Sequence, residues 1–264
     1  VLAKVSITGP NVLLYAETMC CSCINFFACA LFCPTFAAMK KIVISVDGFS
    51  SCGKSTMARQ MAKELNYVFV DSGAMYRAIA LYFLRNKIDF NSKAAIDGAL
   101  ANIELEFVYN SNTGKSDMYL NGENVEAEIR DRQVSENVSN VAAIKEVREF
   151  AVAQQQKMGE KKGLIMDGRD IGTTVFPQAE LKIFMTASND VRAARRYKEL
   201  IEKDPTITLD EVRKNLEMRD HIDSTREISP LRKADDAVVL DNSNLTPEEQ
   251  LALALSWARE RAAE

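Results

Sequence analysis

From residue 41 onward the chain alternates short apolar runs with longer stretches in which apolar residues recur at helical spacing. KIVISVD (41–47), YVFVD (67–71), GLIMD (163–167), LKIFMTA (181–187) and AVVLD (237–241) have the length and the branched apolar composition of buried strands. Helical patterns follow the first two at 54–65 and 74–85, and the last two are each followed by one as well. Strands that are apolar throughout must be covered on both faces, so this order predicts a five-stranded parallel sheet flanked by helices, the α/β class. The stretch 102–125 breaks the rule. IELEFVYN, a polar SNTGKSD and MYLNGENV alternate with period two and read as an antiparallel hairpin inserted into that domain.

The second half carries clear helix punctuation. Residues 190–203 are helical in pattern, Asp204-Pro205 interrupts them, and Thr208 with Glu211 three residues later forms a capping box that opens another helix. Two charged helices joined by a break predict a mobile lid. Thr246-Pro247-Glu248-Glu249 opens a terminal helix with an N-cap, a proline at the first position and a capping glutamate.

The first 38 residues do not continue this pattern. Cys20, Cys21, Cys23, Cys29 and Cys33 crowd into one segment, and no charge falls between Thr18 and Met39. Ser22, Asn25, Pro34 and Thr35 dilute the apolarity that a membrane span needs. A signal peptide ending near Ala37-Ala38 would have only Lys4 as its basic region. The cysteine spacing does not close on a second ligand pair, as a zinc site requires. The reading preferred is an N-terminal extension, 1–38, outside a fold that occupies 39–264.

Composition narrows the chemistry. Thirty-three Lys and Arg against 37 Asp and Glu leave a net charge of −4, so no global positive field attracts nucleic acid or an anionic membrane. Any anion site must be built locally. The single histidine, His221, rules out a His-cluster metal centre.

Gly48-Phe49-Ser50-Ser51-Cys52-Gly53-Lys54-Ser55, followed by Thr56, is a complete G-x4-G-K-[ST] between a strand and a helix. In this phosphate-binding loop, or P-loop, glycines let the backbone approach phosphate, and loop N–H groups with the helix N-terminus supply fixed positive ends. Lys54 reaches the β- and γ-phosphates of ATP, and Ser55 is placed to ligate Mg²⁺. Cys52 reads as a small residue filling a permissive position. Gly114-Lys115-Ser116 echoes the motif's end but lies in the hairpin turn. Asn86-Lys87-Ile88-Asp89 matches a guanine-reading motif, but it follows the P-loop too closely and no D-x-x-G accompanies it.

The strand 163–167 delivers Asp167 at its carboxyl end, where a P-loop enzyme places its second Mg²⁺-side carboxylate, with Arg169 and Asp170 just beyond. Arg219, Asp223 and Arg226 share one helical face, as do Arg192, Arg195 and Arg196. Spreading charge over phosphoryl oxygens requires several such donors, and these lie in the expected lid.

With these residues in place, 39 to about 262 resembles bacterial cytidylate kinases, which are nucleoside-monophosphate kinases of the P-loop superfamily. The likeness rests on SVDGFSSCGKST, on Asp71-Ser72-Gly73-Ala74-Met75-Tyr76-Arg77, on Gly122 to Arg130, on Asp167-Gly168-Arg169-Asp170-Ile171-Gly172-Thr173 and on Arg219-Asp220-His221-Ile222-Asp223. It implies a monophosphate-binding insertion at about 95–148 and a lid at about 190–225. It also implies Mg²⁺-dependent transfer of a phosphoryl group from ATP to CMP or dCMP. Lys54, Asp167, Arg169 and Arg219 would then be catalytic. Ser72 and Arg77, with the last two arginines, would hold the acceptor phosphate and the group in transit. Ser139, Arg148, Asp170, Asp223 and Arg226 would read cytosine and ribose. Arg195 or Arg196 would contact ATP, and Asp241-Asn242-Ser243 would lie near adenine. A cytoplasmic monomer without membrane or nucleic-acid partners is the corresponding expectation. Two alternatives stay open: a kinase for another monophosphate, chiefly UMP, and a P-loop switch protein that gates a partner.

Overall fold

A computed structural model describes residues 7–8, 40–202 and 204–264. Five parallel strands form the main sheet: β2 (Val43–Gly48), β3 (Val68–Asp71), β7 (Leu164–Gly168), β8 (Leu181–Thr186) and β9 (Val238–Asp241), in the order β3-β7-β2-β8-β9. All five are the strands that the apolar runs predict. The chain builds β3 and β7 on one side of β2 and then β8 and β9 on the other. The switch beside β2 opens a crevice at the carboxyl ends of the strands, where ligands of such sheets bind.

Helices cover the sheet on two sides. α1 (Lys54–Leu65) and the terminal α8 (Pro247–Ala263) pack with β2, β8 and β9 around Ile44, Met57, Met61, Ile183 and Ala254. α2 (Ser72–Arg85), α3 (Lys93–Leu100), α4 (Arg132–Ala143) and α5 (Lys145–Gly159) enclose a second core around Met75, Ile79, Phe83, Leu105 and Ile129. Each fully buried Ile, Leu, Met or Phe among them contributes about 1.5–3 kcal/mol. That depth holds the sheet rigid beneath its loops.

The hairpin is β4 (Leu105–Asn110) and β5 (Lys115–Leu120), paired antiparallel from Leu105 with Leu120 to Asn110 with Lys115 and extended by β6 (Glu123–Asn124). Its second core face, Leu105, Phe107, Met118 and Leu120, packs into the α2 side. The Gly114-Lys115-Ser116 echo of the P-loop is indeed this hairpin's turn, with Gly114 at φ +65°. Asn86-Lys87-Ile88-Asp89 follows α2, and Ile88 packs on the core. Ile7–Thr8 forms a short β1 parallel to Phe107 and Val108 of β4. The remaining expectations for 1–38 lie outside the described residues, and among those residues no helix is long and apolar enough to cross a membrane.

The two charged helices are α6 (Asn189–Ile201) and α7 (Leu209–Thr225). The Thr208 capping box forms as expected, as does that of Thr246 on α8. α6 and α7 join through a small core of Ala193, Val212 and Leu216, separate from the two sheet cores. A subunit tied to the body by polar contacts more than by shared core is what a lid requires.

Candidate active site

The chain leaving the carboxyl ends of β2, β3 and β7 contributes to the site. Gly48 ends β2 at φ +145°, and a Cβ there would stand 2.0 Å from the Met185 carbonyl oxygen, so only glycine lets the P-loop leave beside β8. Gly53, at φ +90°, turns the loop into α1. Ser50, Ser51, Gly53, Lys54, Ser55 and Thr56 line an open cleft with Arg59, Arg130, Arg196 and Asp167. Phe49 instead packs edge-on against Phe184 at 5.9 Å, and Cys52 is fully buried with its thiol against the Phe49 carbonyl. These two shape the loop from behind. Lys54 Nζ donates to the Phe49 carbonyl at 2.6 Å, and burial pulls its pKa below the ordinary value.

Asp71 and Asp167 end adjacent strands and stand side by side in register. Burial, and then the neighbouring Asp71, push the Asp167 carboxyl up to about 6. Burial would raise Asp71 too, but Arg77 and Arg130 more than offset it and hold that carboxyl below its usual range. Asp71 caps α2 through Ala74 N and pairs with Arg77 at 2.9 Å. Ser55 Oγ donates to Asp167 Oδ2 at 2.6 Å, whereas Asp167 Oδ1 is buried with no partner among the described residues. A hydroxyl and a carboxylate with a free oxygen are the hard donors that Mg²⁺ takes from a protein while it keeps phosphate and water. Among the described residues no cluster of three or more acidic, Cys or His side chains forms a self-sufficient metal cage.

A second cleft, of about 450 Å³, lies between α2, α4, the end of β7 and α7. It is lined by Ser72, Arg77, Ser139, Arg148, Arg169, Asp170, Arg219, Asp223 and Arg226, so the residues assigned above to the acceptor nucleotide converge from five separate elements. Arg148 is almost completely buried on α5. It pairs with Asp170, donates to the Ala142 carbonyl at 3.2 Å and lies 5.3 Å over the Tyr76 ring. Arg226 reaches the other Asp170 oxygen at 3.4 Å. Asp223 accepts from Arg169 Nε at 2.9 Å. Burial would raise its carboxyl, but Arg169, Arg226 and Arg219 hold it down. Ser72 Oγ is spent on the Asp167 carbonyl.

Gly73, Arg77, Gly168, Arg169 and Arg219 line both clefts. Arg219 donates no hydrogen bond and makes no ion pair among the described residues. Burial, and then Arg169, pull its pKa down to about 10 against the nearby Asp223, so it remains a cation with no direct ion-pair partner among the described residues. A guanidinium desolvated among other guanidiniums is destabilised until an anion arrives. The structure separates the two α6 arginines: Arg196 faces the P-loop cleft, whereas Arg195 donates to Asn242 Oδ1 and to its carbonyl. Asn242 in turn donates to the Cys52 carbonyl, which joins the loop after β9 to the P-loop.

Four residues beyond the assigned set prove structurally central. Tyr76 lines the second cleft, and Arg130 the first. Asp47 and Asp220 hold backbone amides at 171–172 and at Ser50. All four stand inside the motifs quoted above, and Asp47 is also a carboxylate near the end of an otherwise apolar strand, which is the available signal for each.

The family described as "Cytidylate kinase" matches residues 44–260. A cytidylate kinase of Flavobacterium johnsoniae is 57% identical over 220 residues, covering 82% of this chain and 96% of that protein. Those of Bacteroides fragilis, 55% identical over 215 residues (80% and 94%), and Cytophaga hutchinsonii, 54% over 213 residues (81% and 91%), are similarly close. Together with a P-loop that opens into an arginine-lined second cleft, these matches mean that the chain belongs to the cytidylate kinase family.

Proposed function

We propose that the chain transfers the γ-phosphoryl group of ATP to CMP and dCMP, with the P-loop cleft taking ATP and the second cleft taking the acceptor. The observation that carries this reading is the junction: Arg77, Arg169 and Arg219 line both clefts, where a group passing between two nucleotides must travel. Lys54 leaves the Phe49 carbonyl for the β- and γ-phosphates, and the three arginines neutralise the charge spread over the oxygens in flight. Asp170, held by Arg148 and Arg226, and Ser139 present the acceptors and donors that match a cytosine edge, while Asp223 faces the ribose. Ser55 and Asp167 would hold Mg²⁺, which would supply positive charge to offset that of the phosphates. Closure of α6 and α7 brings Arg196 onto the phosphates and excludes water, which would otherwise compete as acceptor.

Both clefts are built from one chain, so the site needs no second copy, and we read the enzyme as a monomer. The cations concentrate at the clefts of a net-negative chain, which suits small phosphates better than nucleic acid. We read the reaction as cytoplasmic, to match its nucleotide substrates.

The test is ADP release by the full chain with ATP and Mg²⁺, offering CMP, dCMP, UMP, AMP and GMP separately. Turnover is expected with the cytidine nucleotides and a loss of at least about a hundredfold in Lys54→Ala, from the stabilisation that one charge aimed at a transferring phosphoryl group supplies. Preference for UMP would move the base assignment. ATP binding without turnover on any acceptor would leave a nucleotide-binding switch.

A further inference from the structure

Ser50, the third residue of the P-loop motif, has all three of its polar groups held by residues outside the loop. Its backbone N–H donates to Asp220 Oδ1 on α7 at 3.2 Å, and its carbonyl accepts from Arg192 Nη1 on α6 at 3.2 Å. Its hydroxyl accepts from Arg169 Nη2, just beyond β7, at 2.8 Å. Arg192 and Asp220 are themselves an ion pair, with side chains only 6% and 13% exposed. The Arg192 guanidinium also lies 5.3 Å over the Phe49 ring and donates to Asn189 Oδ1 at 2.5 Å. Neither Arg192 nor Asp220 lines either cleft.

The positions along the chain give this cluster its meaning. Arg192 is in the first turn of α6 and Asp220 is in the last third of α7, so the pair closes the base of the lid like a drawstring. The free ends of the two helices lie beyond it. On its other side the same pair grips the P-loop at one residue. We propose that Asp220 and Arg192 form a clasp that fixes the front of the P-loop to the hinge of the lid, making Asp220 a positioning residue for ATP. The carboxylate is a brace here and not a stand-in for phosphate, because Arg192 already neutralises it and grips the Ser50 carbonyl in the same contact. Loss of the brace frees Ser50, and the loop must then be ordered at the expense of ATP affinity.

This inference rests on the assignment of ATP to the P-loop cleft but not on the choice of cytosine. Equilibrium binding of MgATP to the full chain therefore tests it without any acceptor, and CMP binding alone serves as the internal reference. Asp220→Ala is expected to weaken MgATP about tenfold, the worth of a hydrogen bond to a charged group, while the CMP Kd stays within about twofold. Asp220→Asn keeps an acceptor for the Ser50 N–H and should recover most of that loss. Thermal unfolding of each variant reports whether the fold persists; should Asp220→Ala fail to fold, Arg192→Lys replaces it, with the same selective loss of MgATP expected. Equal weakening of both nucleotides, or a lower Tm with unchanged MgATP affinity, would overturn the clasp. Tighter MgATP binding in Asp220→Ala would also overturn it, by showing that the carboxylate competes with phosphate for the Ser50 amide.

Discussion

Asp47 is buried at the end of β2, and its two oxygens accept the Ile171 N–H at 2.8 Å and the Gly172 N–H at 2.7 Å. It thereby fixes the turn that displays Arg169 and Asp170 to the second cleft. Burial pushes its carboxyl from the ordinary 3.8 up to about 7, against the pull of those two amide bonds. Between these values the folded chain keeps a proton that the unfolded chain has released. The stability linked to that proton is fully present below pH 3.8 and is lost as pH rises through about 7. Asp47→Asn removes the titration. Thermal unfolding from pH 5 to 8 should therefore show the wild-type Tm falling relative to that of Asp47→Asn. A difference that stays constant across this range would mean that the two amides keep the carboxylate ionised throughout.

At the scale of an element, two glycines with positive φ separate backbone strain from steric exclusion. Gly114, at φ +65° in the β4–β5 turn, has open space where a Cβ would go, so Gly114→Ala should cost about 1–2 kcal/mol of left-handed strain and leave turnover unchanged. Gly48→Ala adds a collision with the Met185 carbonyl, which pairs β8 with β2, so either the strands part or the P-loop moves. Denaturant midpoints should show a much larger loss there, accompanied by lost MgATP binding. The same contrast explains what the sequence made legible. Strands such as β2 are readable because burial on both faces demands an apolar run, and Lys54 and Ser55 because the loop has one workable spacing. α4, inside the 95–148 insertion, and α5, which begins there and runs past it, do not stand out in the apolar pattern, since their buried faces include Ser139, Arg148, Gln154 and Gln155, which blur the period. Asp220 was invisible as a brace because its partner Ser50 lies 170 residues away, and a lone carboxylate does not announce what it will meet.

Across the whole molecule, the sheet order puts the P-loop at the switch point and lets α2, α4 and α7 wall a second cleft against it. The two clefts are contiguous because Gly73, Arg77, Gly168, Arg169 and Arg219 belong to both. A single molecule that joins adenosine to cytidine through a chain of phosphates should therefore bind both at once, and the second nucleoside then binds as an intramolecular event. Its affinity should exceed that of ATP or CMP by a hundredfold or more, by about the factor that linking two sites supplies. At a concentration about a hundred times its Kd it should stabilise the fold by about 2.7 kcal/mol, read as a rise in Tm. Arg219→Ala removes a cation that lines both clefts and has no direct ion-pair partner among the described residues, so it should weaken the joined ligand more than it weakens CMP alone. Were the joined ligand to bind no better than ATP, the two clefts would be separate sites, and transfer between them would need a rearrangement larger than closure of α6 and α7.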